Sequence, residues 1–359
     1  MRVLALYLPQ FHSFKENDEW WGEGYTEWSA VKRARPLFKG HIQPRVPKDG
    51  HYYDLVKEGV ETLDAQAKLA ARYGIYGFCI YQYWFGGKQL MEKPAEILLS
   101  HPEININYCI CWANESWTRT WYGLENEVLI KQEYGSEPEW RRHFNYLLQF
   151  FKDPRYIKVG GRPVFMIYRS FDIPALREMR RLFDELAVEA GFEGVYIISG
   201  QTAGELEVRE DIIDGRYYFE PGYSLKHSLK PFQTLCYNLT TGWRTLVNRA
   251  LKTKILERRI PIKWIYDAIE KRQYGADEIP GTLARWDNTP RRDYKGLVYT
   301  GSSPELFGQN LRALAKKVAG RENDFVVVNA MNEWGEGAML EMDEAEGDAY
   351  LREILNVVS

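Results

Sequence analysis

The sequence predicts an α/β fold, a single (β/α)8 TIM barrel that spans residues 1–359. Three observations support this fold. Eight short apolar segments have the composition of buried strands, segments with helical spacing separate most of them, and polar or aromatic residues follow the strands directly. A doubly wound sheet is the alternative, but no glycine-rich phosphate turn follows the first predicted strand. No internal repeat or break in composition indicates a second domain.

The predicted strands are short runs of apolar, often β-branched or aromatic residues. Continuous apolar runs of this kind are typical of strands that are buried on both faces of a parallel sheet. The seventh run is a short candidate strand that covers residues 282–286. The eight runs lie near Val3, Phe78, Tyr108, Phe165, Tyr196, Tyr217, Leu283 and Val327.

Apolar residues spaced three and four positions apart predict helices between these strands. Gly74 and Gly191 follow two of the predicted helices, at the position where a glycine commonly ends a helix. The predicted helices cover residues 55–72, 90–99, 138–151, 173–190, 304–318 and 345–357.

Two regions depart from the alternation of strands and helices. A long segment after the first strand, residues 13–54, is rich in Trp, Gly, Pro and charged residues. Loops of this length inside a compact domain are uncommon and usually functional. An insertion at residues 222–280 holds an aromatic loop, a basic helical piece at 244–259 and a second helical piece at 264–272.

Composition excludes some classes of function. A net charge of −3 and a pI near 6.2 argue against an electrostatic nucleic-acid binder. Twelve Trp and 24 Tyr residues offer flat apolar faces with hydrogen-bonding groups, which suit sugar rings as well as ordinary cores. Cys79, Cys109 and Cys111 lie in strand-like runs without metal-ligand spacing, so we predict buried thiols and neither a metal site nor a cofactor.

The chain has no apolar run that approaches the ~20 residues of a membrane span. The apolar run at residues 3–8 is too short for a signal peptide and is followed at once by Pro9. We therefore expect a cytoplasmic protein without a membrane span.

Aromatic and polar residues follow nearly every predicted strand. In a barrel the carboxyl ends of all strands face one bowl, so these residues are expected to surround a single site. Indole rings stack on sugar faces while carboxylates and amides bind hydroxyl groups, which together predict a carbohydrate cleft. Some rim residues, Arg169 and Trp286 included, are expected to be structural. The predicted substrate-binding residues are His12, Trp84, Trp112, Asn114, Glu115, Trp117, Arg119, Tyr168, Glu220, Asp287, Asn288, Arg291, Asn332 and Trp334.

Two glutamates, Glu333 and Glu336, follow the last predicted strand. Gly335 and Gly337 let the backbone turn sharply, so both carboxylates could face one small substrate. A polar loop with two solvated glutamates explains the same spacing, and spacing alone does not separate the two interpretations. Carboxyl pairs supply the acid and the base of glycoside hydrolysis, so Glu333 and Glu336 are the candidate catalytic residues.

Several long motifs resemble the WbsX family. They extend over nearly the whole chain, and only residues 222–281 lack one. The motifs are YLPQFH at 7–12, ENDEWWG at 16–22, TEW at 26–28, PLFKGH at 36–41, QP at 43–44, CWANESWTR at 111–119, WDNTPR at 286–291 and NEWGEG at 332–337.

This resemblance implies both a fold and a mechanism. WbsX proteins are labelled glycosyltransferases of O-antigen or polysaccharide clusters and are also described as glycoside hydrolase family 99-like. The last motif is similar to the NEWHEG segment of family 99 endo-α-mannanases and endomannosidases, which are (β/α)8 barrels that retain anomeric configuration. Carried over, Glu333 is the base that helps the sugar 2-OH form a 1,2-anhydro intermediate. Glu336 is the acid on the leaving oxygen and then the base for water, which requires a raised pKa. Gly335 stands where that family has His, so contacts of that side chain do not transfer.

Together these observations predict a retaining glycoside hydrolase that acts on α-manno-configured linkages, mannosides or rhamnosides, of a bacterial polysaccharide or O-antigen. The expected partner is an oligo- or polysaccharide. A glycosyltransferase or transglycosidase in polysaccharide biosynthesis is the alternative, although the sequence has no Asp-x-Asp motif. A non-catalytic glycan-binding protein is the third interpretation, which the intact glutamate pair disfavours.

Overall fold

A computed structural model describes residues 1–118 and 128–359. Nine strand segments, paired in parallel, form a nearly closed barrel that is accompanied by helices. The predicted α/β barrel is thus confirmed, with its seventh strand divided in two. The segments are β1 (Arg2–Tyr7), β2 (Ile75–Phe85), β3 (Asn107–Trp112), β4 (Arg162–Ile167), β5 (Tyr196–Gln201), β6 (Gly215–Tyr218), β7 (Glu278–Ile279), β8 (Gly281–Leu283) and β9 (Phe325–Asn329).

Pro280 divides the strand that closes the barrel. β7 pairs with β6, whereas β8, which begins directly after Pro280, pairs with β9. Proline has no N–H group to donate, so one continuous strand cannot be fully hydrogen-bonded at this point. The Pro280 carbonyl oxygen still accepts from the Val327 N–H at 2.9 Å. The predicted bounds of 282–286 were therefore wrong, because the strand begins earlier and ends at Leu283.

β1 lies between β9 and β2, so the first and last strands of the barrel are neighbours. Val3 pairs with Val326, and Leu4 pairs with Gly77 on the other side. All five residues of β9 are buried, and in β1 only Arg2 is partly exposed. Strands that are buried on both faces need apolar side chains at consecutive positions, which explains the uninterrupted apolar runs of the sequence.

The predicted helices between the strands are present, with bounds that differ by at most four residues, and 304–318 agrees at both ends. None of the helices in the described parts of the chain has the length and apolar character required to cross a membrane. The helices are Lys15–Trp21, Glu27–Arg33, Gly59–Arg72, Lys93–Ser100, Glu137–Phe151, Leu176–Glu189, Gly222–His227, Pro231–Leu251, Ile262–Lys271, Thr289–Arg292, Pro304–Val318 and Ala349–Val358.

The segment at 13–54 is more ordered than the sequence indicates. It contains the helices Lys15–Trp21 and Glu27–Arg33, which are too short to show a helical pattern of apolar residues. Short antiparallel pairs add further order around the barrel. They join Lys88–Leu90 to β2, Trp117–Thr118 to Val128–Ile130, Lys158–Val159 to β4, and Asn332–Glu333 to Ala338–Met339.

The insertion differs from its prediction. The basic helical piece expected at 244–259 is instead the second half of the helix Pro231–Leu251. Lys252 takes the left-handed conformation, with φ of 50°, and ends that helix. Arg258–Pro261 then forms a strand that pairs in parallel with Leu297–Thr300, which the sequence did not indicate.

The Asn332 side chain fastens the loop after β9 to the end of β1. Its Oδ1 accepts from the Leu8 N–H at 2.7 Å, and its Nδ2 donates to the Leu8 carbonyl oxygen at 2.9 Å. The side chain is fully buried. Both polar atoms therefore bind backbone, and Asn332 acts as a structural clamp rather than as the substrate-binding residue that the sequence predicted.

Replacing Asn332 by Ala should lower the free energy of unfolding by about 2–4 kcal/mol, because the buried Leu8 N–H and C=O lose their partners. Urea denaturation followed by circular dichroism measures this change. Asn238→Ala, at an exposed position of the helix Pro231–Leu251, is the control and should change it by less than about 0.5 kcal/mol. An Asn332→Ala variant as stable as the parent would contradict the clamp.

Candidate active site

A cavity of about 310 Å³ lies at the carboxyl ends of the barrel strands, where barrel enzymes carry their active sites. Six residues predicted for the site line it. They are Glu115, Tyr168, Asn288, Arg291, Glu333 and Glu336. Its other lining residues include Gln10, Tyr81, Tyr83, Phe219, Arg258, Trp286 and Arg292.

Arg291 binds three carboxylates with one guanidinium group. Its Nε donates to Glu27 Oε1 at 2.7 Å, its Nη1 to Glu336 Oε1 at 2.7 Å, and its Nη2 to Glu333 Oε2 at 3.2 Å. The Arg291 side chain is buried, so these charge-assisted hydrogen bonds form largely out of contact with water. Arg291 is therefore the centre of the site, a position that its predicted role in substrate binding did not anticipate.

Three carboxyl groups around one guanidinium leave an excess of negative charge in a buried place. Burial raises the pKa of Glu333 to about 8, with Glu336 and Glu27 adding to the shift and Arg291 opposing it. Burial also raises the pKa of Glu336, and Glu27 again adds to the shift. The Glu333–Glu336 pair is thus favoured to hold a proton near neutral pH, as acid catalysis requires.

Glu27 is a central residue of the site that the sequence analysis missed. It is the first residue of the helix Glu27–Arg33, and its side chain is fully buried. Its second oxygen, Oε2, has no hydrogen-bond partner among the described residues. The sequence gives little indication of this role. Glu27 lies in a short TEW motif of a segment that was predicted to be irregular, and it is far in sequence from the glutamate pair.

Gly335 gives Glu27 the space that it occupies. A Cβ atom at this position would overlap the Glu27 carboxylate and would come within 2.9 Å of Arg291 Nε. The residue between the two glutamates must therefore lack a side chain for the ion pair to form. In this chain Glu27 and Arg291 occupy the space that a side chain at position 335 would need.

Asp287 is buried and both of its carboxylate oxygens accept hydrogen bonds from the protein, although the sequence predicted it to bind substrate. His41 Nε2 donates to its Oδ2 at 2.7 Å, as does Gln43 Nε2, and the Thr289 N–H and hydroxyl bind its Oδ1. Burial opposes ionisation of Asp287, but these hydrogen bonds prevail and lower its pKa. His41 Nδ1 accepts from the Leu37 N–H, so the ring proton is on Nε2. Asp287 therefore holds the long first loop against the rim.

None of the four tryptophans predicted to bind substrate lines the cavity, and the alternation of side chains along β2 explains one of them. Tyr81 and Tyr83 share the face that lines the cavity, whereas Trp84 points to the opposite face. There Trp84 stacks on His143 with ring centroids 4.5 Å apart, and its indole N–H donates to Glu139. The position of a residue at the end of a strand does not show which face of the sheet its side chain occupies.

The other three tryptophans are buried in the framework of the rim. Trp112 donates its indole N–H to the Trp84 carbonyl oxygen at 3.1 Å, and Trp117 stacks on Tyr83 at 5.4 Å. Trp334 donates to Glu341 Oε2 at 2.6 Å. Trp286 was expected to be structural, and the structure instead places it on the cavity.

Three predicted polar residues also lie away from the cavity. Asn114 clamps the Arg169 backbone, accepting from its N–H at 2.8 Å and donating to its carbonyl oxygen at 2.9 Å. Glu220 is buried in an ion pair with Arg272 at 2.9 Å. Burial lowers the pKa of His12, whose Nδ1 has no partner within the described ranges. Arg119 lies outside the described residues.

Two predicted residues on the cavity already hold protein partners. Glu115 forms an ion pair with Arg169 at 2.8 Å, and Asn288 Oδ1 accepts from the Leu297 N–H at 2.7 Å. The described residues contain no group of three or more His, Cys, Asp or Glu side chains arranged to hold a metal ion.

Comparison with known proteins agrees with the motifs and the barrel. The family model described as "Glycosyltransferase WbsX" matches residues 3–354. The chain belongs to the WbsX family. Two relatives of this WbsX chain are uncharacterized proteins named WxcX from two strains of Xanthomonas campestris pv. campestris, 34% and 35% identical over 97% of the chain. The alignments cover 48% of each relative, so the chain spans about half the length of these proteins.

Solved structures similar to this WbsX chain are also barrels. The GH99 endo-α-mannosidase from Bacteroides thetaiotaomicron, in complex with Bis-Tris propane, matches with a TM-score of 0.58 and 14% identity, covering 99% of this chain and 96% of that one. A "Glycoside hydrolase-like protein" matches with the same TM-score and identity, and the match covers 99% of this chain and 93% of that one. At this level of identity the likeness shows a shared fold.

Replacing Gly335 by Ala should lower the free energy of unfolding by about 1–3 kcal/mol, because the new methyl group displaces the Glu27 carboxylate from Arg291. Thermal and urea denaturation measure the loss. Gly242→Ala in the helix Pro231–Leu251 is the matched control: it has no atom within 4 Å of the added Cβ and should be stabilising by roughly 0.5–1 kcal/mol. Equal stability of Gly335→Ala and the parent would show that the close approach is not required.

Proposed function

We propose that this WbsX protein is a retaining glycoside hydrolase that acts on α-manno-configured linkages of a bacterial polysaccharide. The observation that carries the proposal is the pair Glu333 and Glu336, which share Arg291 and line one cavity with raised pKa values. A buried carboxyl pair that holds a proton near neutral pH can supply both an acid and a base.

In the proposed first step Glu333 takes the proton of the sugar 2-OH, and the 2-oxygen attacks the anomeric carbon. The bond from that carbon to the leaving oxygen breaks as Glu336 gives the leaving oxygen its proton. The product of this step is a 1,2-anhydro sugar, with Glu333 protonated and Glu336 ionised. Water then attacks the anomeric carbon while Glu336 takes its proton, and the 2-oxygen regains a proton from Glu333. Two displacements at one carbon retain its configuration.

The chemistry of the internal nucleophile supports the choice of sugar. In α-mannosides and α-rhamnosides the 2-OH and the leaving group are axial on opposite faces, so the 2-oxygen is aligned for displacement. Tethering the nucleophile to the substrate raises its effective concentration at the reacting carbon. A second carboxylate on the opposite sugar face is then unnecessary. The endo-α-mannosidase with the same fold supports an α-mannoside over other sugars.

Aromatic rings and polar groups of the cavity are the proposed contacts for the glycan. Tyr83 and Trp286 offer flat faces for sugar C–H groups. Glu115, Asn288 and Tyr168 offer polar atoms for hydroxyl groups. Arg291 keeps one negative charge on the glutamate pair stable while the other carboxyl group carries the proton.

A glycosyltransferase or transglycosidase is the second candidate function, and the description of the family model supports it. Both hydrolysis and transglycosylation use the same glutamate pair, and they differ in whether water or a sugar hydroxyl attacks the anhydro intermediate. A transferase that uses a nucleotide-diphosphate sugar would need neither this pair nor an internal nucleophile.

The pH dependence of kcat/KM should follow the proton shared by Glu333 and Glu336. Burial raises the pKa values of both carboxyl groups, so the pair loses its last proton only on the alkaline side of neutrality, where kcat/KM should fall as the acid disappears. At low pH both carboxyl groups are protonated, so the rate should fall because the base disappears. Initial rates on aryl α-mannosides or α-rhamnosides across the pH range measure this profile. A profile without an alkaline limb would contradict the shared proton.

Glu333→Gln and Glu336→Gln should each lower kcat by at least about 100-fold on a natural glycan, because each removes one proton-transfer group. An aryl glycoside with an acidic phenol leaving group needs no acid, so it should restore a burst of phenol in Glu336→Gln but not in Glu333→Gln. Glu344→Gln, at an exposed position nearby in the chain, is the control and should leave turnover unchanged.

Proton NMR of the first-formed product should show the retained anomer. An inverted product would exclude the anhydro-sugar route, and full activity of both glutamate variants would exclude the pair. Tight calorimetric binding of a nucleotide-diphosphate sugar, without hydrolysis of any α-mannoside or α-rhamnoside, would assign the transferase instead.

A further inference from the structure

The helix Pro231–Leu251 carries a stripe of large apolar side chains that face solvent. Their spacing of three or four residues places them on one side of the helix over its length. Each is between 55% and 71% exposed, whereas surface helices normally bury such a stripe against the core. The apolar stripe consists of Phe232, Leu235, Leu239, Trp243 and Leu246.

The opposite side of this helix is polar and faces the protein. Asn248 is buried, accepts from the Ile255 N–H at 2.9 Å and donates to the Ile255 carbonyl oxygen at 2.8 Å. Arg244 donates to the Glu257 carbonyl oxygen at 3.4 Å. These polar contacts and Tyr237, which packs against the core, hold this side of the helix to the protein, while the apolar stripe is exposed.

The charged residues in the chain segment around the apolar stripe are all basic. Residues 221–256 contain no Asp or Glu, although the whole chain has a net charge of −3. Arg249 lies on the helix, and Lys252 and Lys254 follow its end, all three exposed. The basic residues of the segment are Lys226, Lys230, Arg244, Arg249, Lys252 and Lys254.

We propose that the helix Pro231–Leu251 lies on the surface of an anionic lipid bilayer. An outward stripe of Trp, Phe and Leu, bordered by basic and no acidic residues, fits the boundary between lipid headgroups and acyl chains. Lys and Arg beside it are attracted to anionic headgroups, and Trp243 suits the interface itself. A second copy of the chain fits less well, because pairing two such helices brings their basic residues together.

The location of the helix connects this surface to the cavity. Gly222 and Leu225, which precede the helix, line the cavity, and so does Arg258, which follows it. The segments before and after the membrane-facing helix thus both reach the cavity. If the proposed hydrolase activity is correct, its glycan is presented at a membrane surface. The docking itself rests on the exposed stripe and its charge, not on that activity.

Pelleting with lipid vesicles tests the docking on the whole chain, without any assay of turnover. The parent should pellet with vesicles of equimolar phosphatidylglycerol and phosphatidylcholine at least about tenfold more than with phosphatidylcholine alone. Added salt should weaken this binding, because it screens the headgroup charge. Leu239→Glu/Trp243→Glu should lower the bound fraction by about tenfold or more, since both charges enter the apolar stripe.

Val188→Glu/Val208→Glu is the matched control, because it adds the same charges at exposed apolar positions of other segments and should bind as the parent does. Lys252→Gln/Lys254→Gln should lower binding to the anionic vesicles only. Circular dichroism of each variant confirms that it is folded. Absence of vesicle binding by the parent, or equal binding of Leu239→Glu/Trp243→Glu, would overturn the proposal. A dimer in sedimentation that this variant dissociates, without vesicle binding, would assign the stripe to a second copy instead.

Discussion

The contact of one buried guanidinium, Arg291, with three carboxylates is the interaction on which the rest of the site depends. It joins the helix Glu27–Arg33 of the first loop to the segment after β8 and to the loop after β9. Buried carboxylates without a cation would take up protons or turn out into water. The positive charge of Arg291 therefore stabilises the three carboxyl groups in their buried positions. Burial raises the pKa values of Glu333 and Glu336, and Arg291 opposes that rise only in part, so the pair is favoured to hold a proton. The same contact thus organises the loops and sets the chemistry.

Much of this architecture could be predicted from the sequence, because apolar runs report strands and helical spacing reports helices. Glu333 and Glu336 were found because they follow a strand whose end must face the bowl. Side-chain direction was harder to predict: Tyr83 and Trp84 are neighbours in sequence, yet only Tyr83 lines the cavity. Glu27 was missed because its importance arises from a contact across 264 residues, which no local pattern encodes.

Polar residues at strand ends served two purposes that a sequence does not distinguish. Asn114 and Asn332 hold backbone segments with both ends of their amides, and Asp287 holds the first loop. Each of these contacts fixes a loop that carries a residue of the site. An amide or carboxylate at a barrel rim is therefore as useful for rigidity as for ligand binding, and catalytic geometry needs that rigidity.

The adjacency of β1 and β9 has a consequence for how the protein is made. A ribosome releases the first strand hundreds of residues before its partner, and the clamp from Asn332 to Leu8 spans 324 positions. Until the last strand emerges, one edge of β1 has no neighbour, and Glu27 has no Arg291 beside it. An apolar strand edge therefore stays unpaired while the residues between β1 and β9 are synthesised, and exposed edges of this kind favour aggregation.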